Sequence, residues 1–114
     1  MHRETQSKRA EIPPGTLYML ILKTLAHGPR HGYAIARQIK LVSDDVLRVE
    51  EGSLYPALQR MLAKGWVTAE WVPAGPRRRA RVYRLTAAGR KQLTAEVSSF
   101  HRVMQAIVRV IEPA

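Results

Sequence analysis

Three consecutive arginines, Arg77-Arg78-Arg79, follow the turn-forming stretch Pro73-Ala74-Gly75-Pro76. From Arg77 to Lys91 every charged residue is basic: Arg77, Arg78, Arg79, Arg81, Arg84, Arg90 and Lys91. Guanidinium groups on a turn stiffened by proline suit contact with phosphates, or insertion where a narrow minor groove is most negative. A second set lies upstream in Ser53, Tyr55, Pro56, Gln59, Arg60 and Lys64. Gln59 has the donor and acceptor pair that reads adenine N6 and N7 in a major groove, and Lys64 suits the backbone. The histidines offer less. His27 and His31 have the i, i+4 spacing of a metal pair, but Gly28-Pro29 interrupts any helix between them, and no nearby acid completes a ligand set. His2 and His101 stand apart. No Ser/His/Asp order, phosphate loop or dinucleotide fingerprint is present. Neither an enzyme nor a metal or cofactor site is expected.

The whole chain carries the same bias. Its 114 residues hold 19 Lys and Arg against 9 Asp and Glu, a formal charge of +10. A polyanion is the natural partner of that balance. Hydrophobic residues make up 46%, enough for one packed domain and too many for a disordered basic tail. The absence of cysteine fits a reducing compartment. The N-terminal stretch has no apolar segment of the secretory kind, and the longest apolar run, Leu17 to Leu22, falls far short of the roughly 18 residues a membrane span needs. The expected location is cytoplasmic.

These side chains need a frame. Residues 1–13 read as a polar, basic N-terminal arm. A first helix is expected from Thr16, its N-cap, to His27, ended by Gly28-Pro29. A second fits His31 to Val42, with Tyr33, Ile35, Ala36 and Ile39 inward and Arg30, Arg37 and Lys40 outward. A third opens at Ser53 as cap, keeps Pro56 in its first turn, buries Leu54, Leu58, Met61 and Leu62, and closes on Gly65 at C′. The acidic residues before it, Asp44, Asp45, Glu50 and Glu51, are expected to face away from a polyanion. The period then changes to two: Val67, Ala69 and Trp71 on one side of a turn, Arg81 to Leu85 on the other, a β-hairpin. Thr86 caps a long final helix. Leu93, Val97, Phe100, Met104, Ile107 and Ile111 recur along it at alternating steps of four and three, the period of a helix packed along another helix.

Three helices, a hairpin and a long helix make a mainly α fold with a small β-hairpin, the order of a winged helix-turn-helix. It divides into the arm 1–13, a DNA-binding domain over 14–86 and a C-terminal dimerisation helix over 87–114. The third helix would lie in the major groove, with the hairpin as the wing. Two other classes use the same charge, a basic RNA-binding domain and a protein-interaction winged helix. The RNA reading explains neither the heptad seam nor the helix order.

Three segments also resemble the PadR family of bacterial transcriptional regulators. They are LAHGPRHGYAI from Leu25 to Ile35, Glu51-Gly52-Ser53-Leu54-Tyr55-Pro56-Ala57-Leu58 with Met61-Leu62 and Gly65-Trp66-Val67, and Arg81-Val82-Tyr83-Arg84-Leu85-Thr86-Ala87-Ala88-Gly89. The resemblance runs from about Ile12 to Ala95. It implies Ser53, Tyr55 and Pro56 at the DNA-facing start of the recognition helix and Arg77 to Arg79 at the wing tip. It also implies a homodimer through the C-terminal helix, on a pseudo-palindromic double-stranded DNA site, most simply as a repressor. No effector is assigned, because both tryptophans, Trp66 and Trp71, fall in the first strand and the final helix has none.

Overall fold

The computed structural model describes residues 12 and 15–112, so nearly all of the expected arm lies outside the described residues. The chain runs α1 (Leu17–Ala26), β1 (Arg30–His31), α2 (Gly32–Val42), α3 (Glu51–Ala63), β2 (Val67–Pro73), β3 (Arg79–Leu85) and α4 (Ala87–Ile111). The strands form one antiparallel sheet in the order β1-β3-β2. This is the winged helix-turn-helix order that the sequence suggests, with one strand it does not. Arg30 and His31 pair with Tyr83 and Val82 before α2 begins, instead of belonging to the helix.

The core gathers one stripe from every helix. Ile21, Leu22 and Leu25 of α1, Ile35 and Ile39 of α2, and Leu54, Ala57, Leu58 and Met61 of α3 close over Val67, Tyr83 and Leu93. Thr24 is tolerated among them because its hydroxyl donates to the Leu20 carbonyl at 2.8 Å. Tyr33 does not join this core. It is 60% exposed and stacks on the His31 ring, while Gly32 takes the buried place beside it.

The start of α3 also differs from expectation. Glu50 is the N-cap, and the Ser53 and Leu54 amides both donate to its carbonyl at 2.9 Å. Glu51 then sits in the first turn, where a carboxylate meets the positive end of the helix. Ser53 is therefore inside the helix, and Pro56 is its sixth residue rather than part of the first turn. A proline there cannot donate the usual helical hydrogen bond to the Gly52 carbonyl, and its ring crowds that carbonyl.

The other end of α3 follows the expected pattern. Gly65 has φ +76°, its amide donates to Leu62 and the Trp66 amide reaches back to Met61, a Schellman closure. That turn aims β2 at the joint with α4. The Thr86 amide donates to the Trp66 carbonyl at 3.0 Å, and the Thr86 hydroxyl lies 2.9 Å from the same oxygen while accepting from the Gly89 amide. A Cβ on Gly89 would stand 2.1 Å from the Trp66 oxygen. Only a residue without a side chain lets α4 start this close to the sheet.

Candidate nucleic-acid interface

β2 and β3 pair in unbroken register from Val67 with Leu85 to Pro73 with Arg79. One face of the ribbon therefore carries Val67, Ala69, Trp71 and Pro73 on one strand and Leu85, Tyr83, Arg81 and Arg79 on the other. Near the body this face is core: Val67 and Tyr83 are buried. Toward the tip the same face leaves the protein, and Trp71 is 56% exposed. The guanidinium carbons of Arg79 and Arg81 lie 5.4 and 5.5 Å from the Trp71 ring centroid. An aromatic face attracts such cations and limits how far they swing.

The tip itself spans Ala74 to Arg78, closed by the Ala74 amide on the Arg78 carbonyl and the Arg78 amide on Gly75. Gly75 and Arg77 both have positive φ, +132° and +60°. Arg77 and Arg78 stand on this turn, whereas Arg79 is the first residue of β3 and belongs to the stacked row below it. None of Arg77, Arg78, Arg79 and Arg81 is in an ion pair among the described residues. The wing's carboxylate, Glu70, lies on the opposite face with Arg84 at 3.7 Å.

On α3 the exposed surface includes Gly52, Ser53, Tyr55, Pro56 and Gln59. Tyr55 is only 38% exposed, because its ring lies on the start of α2. A Cβ on Gly32 would meet the Tyr55 Cε1 at 2.7 Å and its hydroxyl at 3.0 Å. Tyr55 thus fixes the angle between α2 and α3 while keeping its phenol at the surface. Burial, then the Glu51 carboxylate, then Tyr83 raise that phenol above its ordinary value of 10.0, so it remains a hydrogen-bond donor at neutral pH.

Arg60 and Lys64 are placed differently. The Arg60 guanidinium donates to the Tyr18 hydroxyl of α1 and lies 5.7 Å from its ring. Lys64 sits 5.2 Å from the Trp66 ring, which meets Tyr18 edge-on. Both cations are drawn along the far end of α3, while Ser53, Tyr55 and Pro56 lie in its leading half and Gln59 follows about one turn on. The acidic group splits as well. Asp45 accepts from Arg48 at 3.1 Å, in a loop where Asp44 and Asp45 both have positive φ.

The sequence reading left two residues of this surface without a role, Arg30 and Trp71. Trp71 could have been found by symmetry, because 71 and 81, like 73 and 79, lie equally far from Pro76 at the turn. Arg30 gives no such signal, since its strand is two residues long and its partner strand lies some fifty residues away. His27 caps the end of α1 and His31 the start of α2, on separate elements.

The expected seam of α4 divides in two. Leu93 is buried in the chain's own core and Val97 packs against it. Phe100, Met104, Ile107 and Ile111 are exposed, and Val103, Val108 and Val110 widen the apolar surface beside them. Among the described residues no helix is long and apolar enough to cross a membrane.

Comparison with known proteins agrees with this architecture. Residues 21–95 match the transcriptional regulator PadR-like family. A 37.1 kDa protein in transposon TN4556 of Streptomyces fradiae is 45% identical over 85 residues, 75% of this chain, which spans 23% of that longer protein. The crystal structure of a PadR family transcriptional regulator from Eggerthella lenta superposes with TM-score 0.74 at 28% identity, covering 88% of this chain and 85% of that one. PadR of Bacillus subtilis in complex with operator DNA superposes with TM-score 0.68 at 25% identity, over 75% of this chain and 48% of that one.

Proposed function

This chain belongs to the PadR-like family of transcriptional regulators, and on that footing we propose that it is a cytoplasmic, sequence-specific DNA-binding regulator. In this reading it acts as a homodimer on a pseudo-palindromic operator and represses by occupying the promoter. The observation that carries the reading is the hairpin, where Arg77, Arg78, Arg79 and Arg81 project with no ion-pair partner among the described residues. Such a row is repulsive until a polyanion meets it. Arg77 and Arg78 reach phosphate or minor groove from the tip, and Arg79 and Arg81 follow from the stacked row. Ser53, Tyr55 and Pro56 form the leading edge of the recognition helix, with Gln59 one turn on facing bases and Arg60 and Lys64 flanking on the backbone. The relative solved with operator DNA supports the same use of the fold.

The apolar distal half of α4 supports the dimer, because isolated exposure of such a surface is unfavourable. Two copies joined there would set two recognition helices about one DNA turn apart. Fluorescence anisotropy tests the reading, with duplex from the gene's own upstream region beside a shuffled duplex across a salt series. A dimer with roughly 6–10 phosphate contacts should lose about 10³–10⁵ in affinity between roughly 50 and 200 mM salt, with the native duplex tighter throughout. Equal binding to both duplexes removes sequence specificity. No binding at low salt removes DNA as the partner.

A further inference from the structure

The geometry points to a phosphate clamp formed by Arg30 of β1 and Arg81 of β3 at the root of the wing, with Trp71 as its positioning residue. Arg30 pairs with Tyr83, two residues from Arg81 on the same strand. The two arginines are therefore diagonal neighbours on one sheet face, about 7–8 Å apart at the backbone and within reach of each other's ends. Both Nε atoms are buried, and neither has a hydrogen-bond acceptor among the described residues. Neither guanidinium is in an ion pair there. Two like charges with buried, unanswered donors are an unfavourable arrangement for a resting protein. An anion that accepts from both at once resolves it, and a phosphate has the oxygens to do so.

The surroundings fit that ligand. Arg81 is held from the other side by the Trp71 ring at 5.5 Å and lies 6.0 Å from the Tyr83 ring, so its guanidinium is fixed before any anion arrives. Tyr55 stands close by, on Gly32 two residues after Arg30, and offers a phenolic donor. Glu70 faces the opposite side of the sheet and Glu51 lies by Tyr55, and among the described residues neither forms an ion pair with Arg30 or Arg81. The clamp sits where the wing meets the leading end of α3, the place a backbone phosphate between the two contacts would pass. That the phosphate belongs to DNA rests on the function proposed above.

The test uses the full chain with Arg30→Gln, Arg81→Gln and the double variant, each checked for an unchanged melting transition. On duplex DNA each single variant should lose about tenfold or more in affinity, equally on native and shuffled sequence. The double variant should lose less than the product of the two, because both groups hold one phosphate. Trp71→Ala, which removes no charge, should lose affinity in the same way, and Trp71→Phe should restore most of it. In a second arm, inorganic phosphate is titrated into the free protein while the arginine Nε–Hε NMR signals are followed. Saturable shifts of Arg30 and Arg81 are expected. If wild type binds duplex and neither single variant weakens it, yet phosphate shifts both signals, the clamp stands and serves a free phosphate compound. If wild type fails to bind duplex but the shifts persist, the DNA reading falls and the clamp remains. Absence of shifts together with unchanged duplex affinity overturns the clamp itself.

Discussion

Two elements leave the body of this protein, and they leave it with opposite kinds of incompleteness. The hairpin begins as core at Val67 and Tyr83 and ends in arginines with no ion-pair partner among the described residues. The long helix begins as core at Leu93 and Val97 and ends in Phe100, Met104, Ile107 and Ile111, which are exposed among the described residues. Each continues its own periodicity across the change of environment, two along the ribbon and three-and-four along the helix. The residues change at the point where the body stops: bare charge favours an anion, and apolar surface favours more apolar surface. One small domain is thus finished inside and unfinished in two distinct directions.

The largest expected effect strikes the joint that both projections share. Gly89→Ala places a methyl against the Trp66 carbonyl oxygen, which is backbone and cannot turn aside. It should cost about 3 kcal/mol or more by denaturant unfolding, at the upper end of overpacking effects. A melting curve like that of wild type would mean that wing and helix are not rigidly coupled. Next comes the helix alone. Met104→Glu should leave the monomer folded, because the site is exposed within one chain, and weaken the dimer roughly a hundredfold in sedimentation, since each dimer would bury two charges. A dimer of unchanged strength would place the contact surface elsewhere.

The wing can be broken without touching the helix. Replacing Arg77, Arg78 and Arg79 together by alanine should keep the dimer and reduce duplex affinity on specific and random sites alike. The log–log salt slope should fall by about 0.9 for each phosphate that is no longer neutralised. An unchanged slope would remove these arginines from the interface. The smallest effect sharpens the boundary between them. The folded-state value of Tyr55 is raised, so the stability it contributes is complete below 10.0 and is lost as the pH rises above that value. Tyr55→Phe should flatten that alkaline loss in pH-dependent melting while leaving neutral stability nearly as it was.

What could be read in advance was local. Gly65 and Thr86 announce helix ends because their geometry is set within a few residues, and the alternation around Pro76 specifies the hairpin without reference to anything else. What could not be read depends on distant partners. β1 exists because β3 offers it a ladder, so Arg30 and His31 looked like part of a helix. Tyr33 satisfies the helical period from either side and turns outward because His31 gives it a ring to stack on. Ser53 with Pro56 imitates a helix start, yet Glu50 and Glu51 complete an earlier one. Arg60 and Lys64 are drawn to Tyr18 and Trp66, an attraction invisible until α1 is folded against α3. The heptad pattern was continuous, and nothing in its spacing marks where the chain's own core ends.

The Trp66 oxygen, which takes the Thr86 amide and presses against Gly89, has a mechanical consequence. A lever seized at its root passes on a tilt undiminished. With α4 about 37 Å long, a few degrees of rotation between two paired helices would sweep the wings and recognition helices apart or together by ångströms. In the dimer proposed above, such a molecule would measure the spacing of its half-sites as a caliper does, and whatever loosened the grip at its far end would change the reading at its jaws.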